Sequence, residues 1–159
     1  MDELTHHAQI VGEHLLKQNL LLTTAESCTG GWVAQAITAV AGSSGWFERG
    51  FVTYSNTAKQ EMLGVNEQTL IHHGAVSQQT VEEMALGALN NSHAHISVAI
   101  SGIAGPDGGS PDKPVGTVWI AWAKDNVANS TCYLLSGNRE AVRQQAVSHA
   151  LNGILETLG

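Results

Sequence analysis

The sequence predicts an α/β protein, a three-layer α/β/α sandwich built on a mixed sheet. Segments with helical apolar spacing alternate with short apolar runs along most of the 159 residues. Two late apolar runs are joined by a tight polar turn, and a long amphipathic helix follows them. Helices that alternate with strands cover both faces of a sheet, and a terminal hairpin adds antiparallel strands to it. The composition agrees: 43% hydrophobic, 13% charged and 17 glycines describe a compact α/β chain and not a disordered or coiled-coil one.

Each element has its own signal. Leu4, Ala8, Val11, Leu15 and Leu16 give the stretch Glu3 to Gln18 one apolar helical face. Leu20 to Thr24 is a short apolar run ending in polar residues, a buried strand, and Ala25 to Gly31 is a tight turn. A helix follows over Trp32 to Val40, a loop over Gly42 to Gly45, and a strand within Trp46 to Tyr54. Ser55 or Asn56 caps a helix that ends near Leu63. Short and longer helices follow over Glu67–His72 and Ser77–Asn91, then a β-branched strand over Ile96–Ile100. Val115–Ala123 and Thr131–Leu135 form a hairpin turning at Lys124-Asp125-Asn126. The last helix begins near Asn138, with Val147, Leu151, Ile154 and Leu158 on its buried stripe. No linker or repeat interrupts the chain, so residues 1–159 read as one domain.

Charge and residue usage exclude several functions. A net charge of −7, with only seven lysines and arginines, is the wrong balance for nucleic acid. No apolar run approaches the roughly 20 residues that cross a bilayer, so no membrane partner is expected. Cys28 and Cys132 form no CxxC, and with no signal peptide they read as reduced thiols of a cytoplasmic protein. The histidines occur as adjacent pairs or singly, without Cys or carboxylate partners at ligand spacing, so they read as solvated; neither metal nor cofactor is expected.

Two constellations carry chemistry. Ser27 lies between a strand and a helix, where free N–H groups and the helix dipole stabilise a developing oxyanion. Gly30 and Gly31 leave the backbone open to a ligand. The plainer reading makes Ser27 and Thr29 helix caps. Cys28 is a second candidate nucleophile, or else a small buried apolar residue. The other constellation is Tyr54-Ser55-Asn56 followed by Lys59. A lysine in a helix's first turn is poorly placed for stability but well placed for a depressed pKa, and a neutral amine serves as general base to a serine. A surface lysine on a short helix is the alternative. From Gly102 to Pro114 a long irregular stretch gathers four glycines and all three prolines, a length more typical of functional loops than of connectors.

Four ordered blocks (Thr24 to Gly31, Tyr54 to Asn56 with Lys59, Gly74 to Ser77, and Ser101 to Pro106) resemble the signature of the CinA carboxy-terminal family, over nearly the whole chain. For a chain without an amino-terminal partner domain, the resemblance implies a deamidase. Its substrate would be nicotinamide mononucleotide, hydrolysed to nicotinate mononucleotide and ammonia within pyridine nucleotide recycling. The resemblance further implies a Ser-Lys pair at Ser27 and Lys59; Tyr54, where its strand ends, is placed to orient the lysine or donate to substrate. Cys28, Thr29, Gly30, Gly31, Asn56, Gly102 and Gly105 are the expected substrate contacts. Some family members are named only for competence or DNA damage, which keeps open a non-catalytic nucleotide-binding module.

The phosphate needs a cation. Stepping back four residues from Val147 reaches Arg143, which begins the apolar stripe of the last helix. Either its stem packs on the core or its guanidinium holds the phosphate, with Arg139 the next candidate. A homodimer is expected from the resemblance and from Trp46-Phe47, read as an exposed aromatic pair.

Overall fold

The computed structural model describes residues 2–159. Its elements run α1 (Glu3–Gln18), β1 (Leu22–Glu26), α2 (Trp32–Thr38), β2 (Phe47–Val52), α3 (Asn56–Leu63), α4 (Glu67–His73), α5 (Gln78–Asn90), β3 (Ile96–Gly102), β4 (Thr117–Lys124), β5 (Val127–Leu134) and α6 (Arg139–Leu158). The sheet order is β2-β1-β3-β4-β5, with β2, β1 and β3 parallel and β4 and β5 antiparallel. The mixed sheet and the helices on both faces are those the sequence predicts.

Alternation along the strands explains the two unequal cores. On β3, Ile96, Val98 and Ile100 face the side covered by α1, α2 and α6, where Leu15, Ile37 and Leu151 are fully buried. The opposite face offers small residues, Ala25, Ala99, Ala121 and Ala123, against Val81, Met84 and Ala85 of α5. Ser97 on that face donates its hydroxyl to the Ala85 carbonyl at 2.7 Å, which satisfies the buried oxygen.

Three departures from the sequence reading have physical causes. β1 extends through Ala25 and Glu26, because both neighbours pair with it to its end, so a buried glutamate closes a strand expected to stop at Thr24. β5 starts at Val127, four residues early; it is an edge strand with mostly exposed side chains, and its polar Asn129 and Ser130 gave no apolar signal. The hairpin turn itself falls where expected, with Asp125 and Asn126 at φ 55° and 61°, the pairing that suits a two-residue turn.

The third departure concerns Trp46. It is 2% exposed, with its indole packed over Gly12 of α1, where an added Cβ would stand 2.4 Å from the ring. Phe47 is half-buried beside it. The exposed aromatic pair that favoured a homodimer is therefore a core feature. The same arrangement recurs on α6, where Trp122 lies over Gly153 and donates its indole N–H to the Ala150 carbonyl at 2.9 Å. A Cβ at Gly153 would sit 2.0 Å from two ring atoms. Gly153→Ala should therefore displace the indole and destabilise the protein by about 3 kcal/mol, the upper range for overpacking. Thermal unfolding followed by circular dichroism checks this; an unchanged melting temperature would mean that the ring relocates freely.

Candidate active site

The carboxyl ends of the three parallel strands converge, which is where open α/β sheets bind ligands. β1 delivers Ser27, β2 leads through Thr53 and Tyr54 into α3, and β3 ends at Ser101 and Gly102. Between them lies a cavity of about 260 Å³, whose lining includes Ser27, Cys28, Tyr54, Asn56 and Lys59. Gly102 and Gly105 line its other wall, with Ser101, Asp107 and Arg139.

The turn after β1 requires two glycines. Gly30 and Gly31 have φ 59° and 105°, in the left-handed region that side chains avoid, and they turn the chain from strand into helix. Ser27 donates its amide to Ile100 on β3 and accepts from Gly30, which fixes it at the end of the sheet. Gly31 is also the N-cap of α2 and has no side chain to satisfy the helix's first amides. Glu26 supplies the acceptor. Its Oε1 accepts from Thr29 Oγ1 at 2.6 Å, Val33 N at 2.9 Å and Gly31 N at 3.2 Å, and its Oε2 accepts from Ala34 N at 3.0 Å. The helix-terminal amides expected to meet an oxyanion are thus occupied by a buried carboxylate. The amides of Cys28 and Thr29, within the turn, have no acceptor among the described residues.

Lys59 is 1% exposed in the first turn of α3, a helix capped by Ser55, whose hydroxyl accepts from Ala58 N at 3.0 Å. Its Nζ lies 3.0 Å from Ser27 Oγ, and it donates to the carbonyls of Thr53 at 3.0 Å and Tyr54 at 3.3 Å. Among the described residues the ion pairs are Arg49–Glu48 and Lys124–Asp125, so no carboxylate balances Lys59. Burial therefore pushes its pKa below the ordinary lysine range, only partly opposed by the nearby Cys28. A neutral amine fits these partners atom for atom: two N–H bonds for the two carbonyls, and a lone pair for the serine hydroxyl.

Other residues take different positions. Cys28 lines the cavity, but burial pushes its thiol up to about 11, so it is protonated near neutrality and a poor nucleophile. Tyr54 is 63% exposed at the rim; it meets Lys59 through its carbonyl, while its hydroxyl accepts from Arg139 at 3.3 Å. Thr29, Gly30 and Gly31 shape the turn from behind and do not line the cavity. Arg143 does not reach the cavity either. Its Nε donates to Cys28 O at 3.0 Å and its Nη2 to Thr29 O at 3.1 Å, with the guanidinium 5.4 Å from the Trp32 ring centre. Arg139, one turn earlier on α6, does line the cavity, braced by the Gly105 carbonyl at 2.8 Å. Glu26, Ser101 and Asp107 are among the residues the sequence reading left out of the site. A side-chain-free glycine at a helix start, with a carboxylate a few residues upstream, is the signal that would have found Glu26.

No three or more His, Cys, Asp or Glu side chains of the described residues group as metal ligands, and no helix among them is long and apolar enough to cross a membrane. The chain is 57% identical over 152 residues to the nicotinamide-nucleotide amidohydrolase PncC of Escherichia coli (strain K12), covering 94% of this chain and 91% of that one. It is 55% identical over 156 residues to the protein of the same name from Pseudomonas putida, covering 98% of each. The crystal structure of the competence damage-inducible protein A (ComA) from Klebsiella pneumoniae subsp. pneumoniae MGH 78578 matches with a TM-score of 0.95 at 39% identity, over 99% of this chain and 98% of that one. The competence/damage inducible protein CihA from Agrobacterium tumefaciens matches with a TM-score of 0.92 at 43% identity, over 99% and 96%. The sequence model of one family matches residues 4–158, and with these relatives it settles the kinship: the chain belongs to the CinA C-terminal domain family.

Proposed function

We propose that this protein is a nicotinamide mononucleotide deamidase working through a Ser27–Lys59 pair. The observation that carries the reading is the buried Lys59 amine, without a counter-ion, 3.0 Å from Ser27 Oγ, with two carbonyls accepting its N–H hydrogen bonds. The names of its most similar relatives supply the substrate class. In this mechanism Ser27 Oγ attacks the carboxamide carbon while its proton passes to Lys59 Nζ. The free amide of Cys28, which lines the cavity, faces the developing oxyanion. The tetrahedral adduct collapses, Lys59 returns the proton to the departing nitrogen, and ammonia leaves. Water, deprotonated by Lys59, then attacks the acyl-serine, and nicotinate mononucleotide is released with Ser27 restored.

The rest of the cavity suits the remainder of such a substrate. Asn56 offers a side-chain amide to the carboxamide, and Tyr54 an aromatic surface to the cationic pyridinium ring. With Arg143 bound to backbone carbonyls, the 5′-phosphate falls to Arg139, the cation on the cavity wall, and the loop after Gly102 can add backbone donors. The purified protein should release ammonia from nicotinamide mononucleotide in the presence of a chelator. Arg139→Ala should raise KM by about tenfold or more with a smaller change in kcat, the loss expected for one charged contact. Absence of ammonia release would favour a non-catalytic nucleotide-binding role, and an unchanged KM would remove Arg139 from the phosphate.

A further inference from the structure

Arg143 and Glu26 grip the nucleophile's turn from opposite chemical poles. The guanidinium uses two donors, Nε and Nη2, on two successive carbonyls, Cys28 O and Thr29 O. The carboxylate takes the Thr29 hydroxyl and the amides of Gly31, Val33 and Ala34. The two side chains do not pair with each other; each is directed at the backbone of the same short segment. The Arg143 grip is not required by the core: α6 already buries Val142, Ala146 and Val147 on either side of it.

A trans peptide is planar, with its C=O and N–H pointing in opposite directions. Fixing Cys28 C=O toward α6 therefore fixes the Thr29 N–H away from it. The Ser27 carbonyl, held by the Gly30 amide at 3.0 Å, fixes the Cys28 N–H in the same manner. Those are the two turn amides left without an acceptor among the described residues. We propose that Arg143 is a positioning residue: its fork on the Cys28 and Thr29 carbonyls, acting with Glu26, fixes the two peptide planes that follow Cys28, holds in place the turn that carries the free Cys28 amide at the cavity, and keeps Ser27 against Lys59. This rests on the reading of Ser27 as nucleophile, and it gives the one cation on the buried stripe of α6 a task in catalysis separate from binding phosphate.

A fork on two carbonyls is a demand only arginine meets, since lysine is a point donor on a flexible stem. Turnover of nicotinamide mononucleotide by Arg143→Ala and Arg143→Lys should show kcat lowered by about 30–100-fold and about 10-fold respectively, the scale of a misplaced reacting group. KM should stay within about threefold of wild type, because the cavity wall is intact. The phosphate-free riboside should lose the same factor in kcat/KM as the mononucleotide. Added methylguanidinium should restore part of the kcat of Arg143→Ala and leave Arg143→Lys unmoved. A raised KM with normal kcat, a loss confined to the phosphorylated substrate, full activity in Arg143→Lys, or failure of methylguanidinium to rescue a folded Arg143→Ala would each overturn the proposal. Should Arg143→Ala not fold, the Lys variant, which keeps stem and charge, decides alone on its kcat. Ser27→Ala assayed in parallel separates the two ideas: an active Ser27→Ala removes the nucleophile itself, whereas an inactive one beside a fully active Arg143→Ala removes only the positioning role.

Discussion

Ser27→Ala and Lys59→Ala should each lower kcat for nicotinamide mononucleotide by at least about a thousandfold, and the double variant should be hardly worse than either. In the proposed mechanism the two side chains form one device. Without Lys59, the Ser27 hydroxyl has no acceptor for its proton; without Ser27, the buried amine has nothing to deprotonate. Each loss removes the whole acylation route, and what remains is the modest assistance of oriented binding. Cys28→Ala should keep a substantial fraction of activity, because burial holds that thiol protonated and no base is directed at it. Steady-state kinetics with ammonia detection checks all four variants. Near-wild-type turnover in Ser27→Ala would move the nucleophile, with Cys28 the first alternative. A double-variant loss equal to the product of the singles would mean that Ser27 and Lys59 act in separate steps.

The site was legible in the sequence where backbone punctuation and chemistry coincide. Two consecutive glycines after a short apolar run mark a strand-to-helix reversal, and that reversal puts Ser27 at the end of the sheet. The Lys59 environment was legible only in outline. Its place in a first turn follows from Ser55 as a cap, and Tyr54 was expected to orient it, but the contact is made by the Tyr54 carbonyl, and nothing in the sequence pointed to the Thr53 carbonyl beside it. Glu26 was hidden for a related reason. A charged residue ending an apolar strand reads as the exit to solvent, whereas here it is fully buried and satisfied by four donors from the next helix and turn. Helix register correctly set Arg143 at the start of a buried stripe but could not tell a ligand from a backbone carbonyl as its partner. That distinction depends on how α6 lies against the β1–α2 turn, a contact spanning 115 residues. Trp46 fails for the same cause: its burial depends on Gly12, on a helix separated from it by β1 and α2.

Activity should also rise with pH, tenfold per unit on the acid limb of kcat/KM, to a plateau set by Lys59. The sign follows from the base's role. Below its pKa, Lys59 is an ammonium without a lone pair and cannot accept the Ser27 proton; above it, the amine is free and the rate is constant. Burial without a counter-ion lowers that pKa, so the midpoint should lie below the ordinary lysine value of about 10.4. The Cys28 thiol, pushed up to about 11, would give a limb at the far alkaline end instead, which separates the two candidates by position alone. The substrate's phosphate titrates near pH 6, so the profile is read above that. Lys59→Arg should be inactive across the whole range, since a guanidinium keeps its proton at every accessible pH although the charge of the ammonium form is preserved. Cys28→Ser should leave the midpoint nearly where it is. A pH-independent kcat/KM, a limb that falls as pH rises, or a limb that disappears in Cys28→Ser would remove Lys59 as the base. An active Lys59→Arg would show that the site needs a cation beside Ser27 and no proton acceptor there.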